Sequence, residues 1–190
     1  MQNAFLIGER IYLRAVTEED LPNYFSWLDD QETTRWMQRG IYPNNMEDMK
    51  SYYSSMQQGG NMLLAIIKKA EHTEDMKNPL CVEKHIGNIS LSNLHPTFRT
   101  AEISIIIGEQ VRGCGYGTEA IKLLVDHAFT RMNLNRLQAG AVVKNIGCIR
   151  AFEKAGFQKE GILRQAYYCE GEYQDVQIMS IVKDDWRRGQ

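Results

Sequence analysis

VRGCGYGTEAIKLLVDHAF, Val111 to Phe129, sets three evenly spaced glycines directly against the start of an amphipathic run. Gly113, Gly115 and Gly117 let the backbone take positive φ and come close to a ligand, and Thr118 is expected to N-cap the helical run. Ala120, Ile121, Leu124, Val125, Ala128 and Phe129 recur at a spacing that predicts one buried stripe of a helix. A helix that opens on glycines leaves its first N–H groups unpaired at the positive end of its dipole. The stretch therefore reads as a cradle for a phosphate or pyrophosphate.

Just upstream, AEISIII (Ala101–Ile107) alternates as a strand, with Glu102, Ser104 and Ile106 on one face and Ile103, Ile105 and Ile107 on the other. A strand, a glycine turn and a helix also open a dinucleotide-binding unit. That fingerprint is G-x-G-x-x-G, with an acidic residue about 20 positions on. The spacing here is G-x-G-x-G, and no Gly-Lys-Ser/Thr comes after it to make a P-loop.

The order Arg112-Gly113-Cys114-Gly115-Tyr116-Gly117 resembles the R/Q-x-x-G-x-G/A coenzyme A pyrophosphate loop of the GNAT N-acetyltransferase superfamily. Asn145-Ile146-Gly147-Cys148, leading to Phe152-Glu153-Lys154-Ala155-Gly156-Phe157, resembles the family's second signature, N-x-x-S before a helix ending in E-K-x-G-F. Leu13-Arg14 with Glu19-Asp20, and Gly171-Glu172-Tyr173-Gln174-Asp175, are most similar to its RimJ/RimL-type branch. The resemblance covers residues 10–186 and implies one N-acetyltransferase domain over 1–190. The implied fold is α+β: a mixed, mostly antiparallel central sheet, splayed where coenzyme A binds and flanked by about four helices. The implied activity is acetyl transfer from acetyl-CoA, a co-substrate, to a primary amine by direct attack in a ternary complex, with no metal. A coenzyme A-binding regulatory protein without turnover is the alternative of another class.

Composition narrows the partners. At 190 residues the chain suits one domain with a sizeable core, and 22 Lys and Arg against 24 Asp and Glu leave a formal charge of −2. That balance offers no electrostatic case for nucleic acid or an anionic membrane. Cys81, Cys114, Cys148 and Cys169 stand far apart with no C-x-x-C pair, so neither a zinc site nor a disulfide scaffold is indicated. No apolar run approaches the roughly 20 residues of a membrane-spanning helix, and MQNAFLIGER lacks a signal-peptide core. A reducing cytoplasm is the expected compartment.

Along the rest of the chain, Arg10–Arg14 alternates as a strand, and Thr17-Glu18-Glu19-Asp20 begins a helix with Leu21, Phe25 and Leu28 toward the core. Thr33–Gln58 is rich in Trp, Tyr and Met, a core pattern that also suits one wall of an acceptor groove. Met62–Ile67 and His85–Leu91 read as a hairpin, and the polar Lys68–Lys84 between them has the composition of a mobile surface loop. Asn93-Leu94-His95-Pro96-Thr97 reads as a turn. Leu137–Val143 reads as a strand ended by Asn145. Ile149, Phe152 and Ala155 mark a short helix stopped by Gly156, and Ile162–Tyr168 with Tyr173–Val182 a hairpin around Glu170-Gly171.

The chemistry requires a neutral amine, a stabilised oxyanion and a proton for the leaving thiolate. Backbone N–H groups near Ile106, Ile107 and Gly108, freed by the splay, are expected to serve the oxyanion. Glu102 is the leading candidate for taking the amine's proton through a water. Many superfamily members carry a tyrosine acid seven residues after the asparagine, and that position is Phe152 here. Cys148, Tyr167, Tyr168 and solvent therefore stay open as the acid. For the coenzyme, the resemblance implies that Arg112, Gly113, Cys114, Gly115, Tyr116, Gly117 and Thr118 surround the pyrophosphate. It further implies Asn145 at the pantetheine amides and Arg150 or Lys154 at the adenosine phosphates.

The acceptor must be decided by the early region. Trp27-Leu28-Asp29-Asp30, Thr34-Arg35-Trp36-Met37 and Gly40-Ile41-Tyr42-Pro43 are weakly similar to acetyltransferases of amino-sugar pathways. In that reading Trp36 and Tyr42 pack on a ring while Arg35 and Arg39 meet a diphosphate. An amino sugar is the first expectation, with a protein N-terminus next. A polyamine would use the carboxylates among Asp29, Asp30, Glu32, Glu47 and Asp48. The expected partner is a small-molecule or peptide amine, and a homodimer stays open.

Overall fold

The computed structural model describes residues 3–37, 43, 45–56, 60–70 and 82–189. In chain order run β1 (Leu6–Ile7), β2 (Ile11–Ala15), a 3₁₀ turn (Glu18–Asp20), α1 (Leu21–Asp29), α2 (Gln31–Thr34), α3 (Met46–Met56), β3 (Met62–Lys68), β4 (Lys84–His95) and β5 (Thr100–Ile107). A second 3₁₀ turn (Glu109–Val111) leads to α4 (Tyr116–Thr130), β6 (Arg136–Val142), α5 (Ile146–Lys154), β7 (Gln158–Cys169), β8 (Glu172–Val182) and α6 (Lys183–Arg188). Arg39, Gly40, Ile41, Tyr42 and residues 71–81 of the polar connection lie outside the described residues. Six helices are described where about four were expected. The added α2 and α6 span four and six residues, too short for a periodic apolar pattern to announce them.

The strands form one sheet in the order β1-β2-β3-β4-β5-β6-β8-β7, and only the β5–β6 pair is parallel. Its middle is buried on both faces. On β2, Ile11 and Leu13 join the core beneath α4, while Tyr12 joins the core beneath α1 and α3. The near-continuous apolar run of β3 has the same cause. All six residues of the α4 stripe are at most 1% exposed, and burying each of the larger ones contributes about 1.5–3 kcal/mol.

Several local expectations need correction. Gly115, left-handed at φ +86°, is the N-cap of α4, and Tyr116 is already helical. Thr118 therefore lies inside the first turn and caps nothing. On α1, Tyr24 is fully buried where Phe25 was expected, because it sits one turn from Leu21 and Leu28. β4 runs on to His95, absorbing a positive φ at Asn93 and a register shift, so the turn starts at Pro96.

The splay is legible in the register. β5 and β6 pair only at Thr100↔Arg136, Ala101↔Leu137 and Glu102↔Gln138. Beyond Glu102, β5 stays with β4 as far as Ile107↔Gly87, and β6 stays with β8 as far as Val142↔Val176. Each strand is held by its outer neighbour while the gap between them opens. Antiparallel bonding uses alternate residues, so half the β5 amides past Glu102 face that gap.

Candidate active site

At the wide end of the gap stands the glycine loop. Gly113 and Gly115 take φ of +75° and +86°. Among the described residues no carbonyl or side chain accepts from the amides of Gly113 to Thr118, and the first helical bond runs from Glu119 N–H to Gly115 O at 3.1 Å. A cluster of open amides at a helix start suits a pyrophosphate. Arg10, just ahead of β2, braces it. Its Nη1 donates to Cys114 O at 2.9 Å, its Nε donates to Glu119 Oε2 at 3.1 Å, and its guanidinium lies 4.8 Å from the Tyr116 ring centre. Glu119 Oε1 accepts in return from the Arg10 and Ile11 amides. Sequence reading missed this brace, because no local pattern links residues 109 apart.

Two expectations about the loop change. The Arg112 side chain turns away from it: Nη2 donates to Thr33 Oγ1 at 2.6 Å and Nε to Ile107 O at 3.2 Å, tying the end of β5 to α2. Arg112 thus holds the scaffold while the loop's backbone remains open. The Gly108 amide is not free either, since it donates to Ile86 O at 2.9 Å. Glycine suits position 108 for another reason: a Cβ there would stand 3.0 Å from Trp27 Nε1. The amides of β5 that face the gap remain beside it.

From the gap a groove of about 320 Å³ continues beneath α1 and α3. Its far wall is Tyr24, Tyr52 and Met56, with Trp36 and Met37 at the rim. Its floor is the sheet face bearing Asn88, Ser90, Ser92 and Ser104, a polar row that continues the Glu102–Ser104 face across the Ser90↔Ser104 and Ser92↔Glu102 pairs. Sequence reading missed this row too, although the alternation N-x-S-x-S in β4 signals it. Gly140, Ala141, Asn145, Cys148, Phe152 and Tyr167 line the near side, so the splay and the aromatic pocket form one continuous space.

The candidate residues sort by this geometry. Glu102 occupies the last β5–β6 pair, at the apex of the splay, and accepts from Asn93 Nδ2 at 2.9 Å. Tyr167 reaches the groove because β7 is irregular between Leu163 and Tyr167: Gln165 takes a positive φ and donates its N–H to Asp175 Oδ1 at 2.8 Å. Burial, and then the charge of Glu102, raise the Tyr167 phenol above its ordinary range. Tyr168 points elsewhere, exposed and edge-on to Tyr173. Burial pushes the Cys148 thiol up to about 11. Asn145 lines the groove and N-caps α5, accepting from Cys148 N–H at 3.2 Å. Phe152 is 1% exposed and packs edge-on to Phe157. Arg150 and Lys154 are exposed on α5 and are not groove residues. Trp36 is at the rim, but Arg35 is engaged by Glu170 and Glu32 and covers the Trp36 ring, so it is not held ready for a diphosphate.

Comparison with known proteins agrees with this geometry. The acetyltransferase (GNAT) domain family matches residues 10–158. The chain is 31% identical over 176 residues to the uncharacterised N-acetyltransferase YoaA of Bacillus subtilis, covering 92% of this chain and 94% of that protein. It is 27% identical over 169 residues to the spermidine N(1)-acetyltransferase of Vibrio cholerae, covering 84% and 97%. The crystal structure of spermidine N-acetyltransferase from Vibrio cholerae in complex with CoA and spermine shares the fold, with a TM-score of 0.80 at 22% identity over 95% of this chain and 99% of that one. With the family match running from β2 through α5, and so covering the splay and the open glycine loop, the chain belongs to the GNAT acetyltransferases and is an acetyl-CoA-dependent N-acetyltransferase.

Proposed function

We propose that the protein acetylates a primary amine of a small aliphatic polyamine, with the pyrophosphate of acetyl-CoA on the amides of Gly113 to Thr118 and the thioester in the splay. The observation that carries this reading is the single groove running from the splay into a pocket walled by Tyr24, Trp36 and Tyr52. Aromatic faces attract alkylammonium groups, and Met37 and Met56 suit a methylene chain. The name of the Vibrio cholerae relative favours the same class. An amino sugar, the first expectation, loses its main support because Arg35 is already paired. A purified-protein assay with equal concentrations of spermidine, a nucleotide-linked amino sugar and a short peptide decides among them. Spermidine is expected to win in kcat/KM by tenfold or more, about 1.4 kcal/mol. A tenfold preference for either competitor removes the polyamine reading.

In this reading Glu102 relieves the amine of its proton through water, and Tyr167 hydrogen-bonds the departing sulfur. Neither raised group gives its proton up readily: with the Cys148 thiol at about 11 and the Tyr167 phenol above its ordinary range, full transfer to a thiolate of ordinary pKa about 8.5 is uphill from both, so Tyr167 only donates a hydrogen bond and the thiolate takes its proton from solvent. Glu102→Gln is expected to lower kcat/KM about tenfold or more near pH 7 and to recover toward alkaline pH, where the free amine is already deprotonated. A pH profile parallel to that of the wild type would take Glu102 out of the mechanism.

A further inference from the structure

Asn88 is 2% exposed and lines the groove, yet its Nδ2 has no partner. Its Oδ1 lies 2.9 Å from His85 Nε2. Residues three apart in a regular strand point to opposite faces, but here Ile67 pairs with His85 and Ile66 with Gly87, so Ile86 is an extra residue and the bulge turns His85 to the Asn88 side. Behind the ring, His85 Nδ1 lies 3.4 Å from Asp20 Oδ1 and is the second buried atom without a hydrogen bond. Asp20 is held by Arg14, whose Nη1 and Nη2 donate at 2.6 and 2.8 Å.

One rotation of an amide resolves both unpaired atoms. With Asn88 Oδ1 toward the ring, neutral His85 must carry its proton on Nε2, and the Nδ1 lone pair faces the Asp20 carboxylate. Burial lowers the pKa of His85, so a second proton does not rescue this arrangement at neutral pH. An amide's two orientations are isosteric, and the hydrogen-bond network chooses between them. Turned over, Nδ2 donates to Nε2, the proton moves to Nδ1 facing Asp20, and Oδ1 takes the place of the buried, unpaired Nδ2 in the groove floor.

We propose that Asn88 presents its carbonyl oxygen to the groove and accepts an N–H of the acceptor amine, its amide held in that orientation by His85 and, through the ring, by Asp20. This rests on the acetyl-transfer reading and adds a substrate-contacting residue to it. An amine attacking with its lone pair keeps two N–H donors that must be satisfied away from bulk water. Asn88 supplies one acceptor, with the hydroxyls of Ser90 and Ser104 on the same floor.

The test uses the full chain, acetyl-CoA and the best amine of the panel. Asn88→Leu, which keeps the branching at Cγ and removes both polar atoms, is expected to lower kcat/KM for the amine about 10- to 100-fold while the dissociation constant for acetyl-CoA stays within twofold. His85→Phe frees the amide to turn and is expected to cost about 3- to 10-fold, with the double variant no worse than Asn88→Leu alone. Asn88→Asp retains an oxygen toward the groove and is expected to recover part of the loss. Wild-type kcat/KM in Asn88→Leu, equal losses in Asn88→Leu and Asn88→Asp, or additive losses in the double variant would each overturn the assignment. A wild-type protein that binds acetyl-CoA but acetylates no amine removes the acetyl-transfer reading and this inference together. Turnover by the wild type with an indifferent Asn88→Leu removes only the inference.

Discussion

Gly115→Val is expected to weaken acetyl-CoA binding at least a hundredfold by calorimetry, about 2.7 kcal/mol, while the protein stays folded. A left-handed conformation costs an ordinary L-residue about 1–2 kcal/mol, and a β-branched side chain fits it worst. The new Cβ would also stand 3.1 Å from Arg10 Nη2, so the guanidinium that holds Cys114 O and Glu119 would have to shift. The loop would open, and the amides of Gly113 to Thr118 would no longer converge. The α4 stripe lies one turn further on and keeps its packing. Gly117→Ala is the matched control. Its Cβ would meet Ile107 Cγ1 at 3.6 Å, Ile105 Cδ1 at 3.7 Å and Ile107 Cδ1 at 4.0 Å, ordinary contacts, so any loss there reports the ligand's approach alone. A smaller drop, about 3- to 10-fold, is expected with no fall in Tm. Wild-type affinity in Gly115→Val would mean the pyrophosphate sits elsewhere.

The second large effect is on stability. Asp20→Ala is expected to cost about 3–5 kcal/mol, because it leaves the Arg14 guanidinium largely buried without its counter-ion. The same carboxylate accepts from the Thr17 amide at 2.8 Å and the Thr17 hydroxyl at 3.0 Å, so the 3₁₀ turn leading into α1 also loses its capping box. For a chain of 190 residues this corresponds to a Tm lowered by about 6–20 °C. Arg14→Met combined with Asp20→Leu should restore most of it, since a buried pair replaced by apolar groups costs little. Burial raises the Asp20 pKa, but the Arg14 hydrogen bond, the Thr17 amide and the Arg14 charge outweigh it and hold the carboxyl below its ordinary value. The stabilisation is therefore complete above the unfolded pKa near ~4 and disappears as pH falls through the folded one. The gap in Tm between wild type and Asp20→Ala should be constant at neutral pH and shrink in acid. A deficit below about 1 kcal/mol at pH 7 would show the pair to be dispensable.

Local pattern carried a large part of this protein. The alternation of β5, the G-x-G-x-G turn and the stripe of α4 are encoded within 30 residues, where strand and helix periods act directly on burial. The ordered signatures from Leu13 to Asp175 then named the family and implied a splay at β5–β6. What sequence could not supply is where long side chains end. Arg112 sits in the coenzyme motif, yet its guanidinium goes to Thr33, while Arg10, outside every motif, braces the loop. Arg35 carried the expectation of a sugar phosphate and instead pairs with Glu170, 135 residues away. The row of Asn88, Ser90 and Ser104 exists only once β4 and β5 are in register, and His85 joins Asn88 only through the bulge at Ile86. Periodicity records which face of an element is buried. Which charged or polar group meets which across the fold depends on register, bulges and docking between segments far apart in the chain, and those are settled only when the whole sheet and its helices pack together.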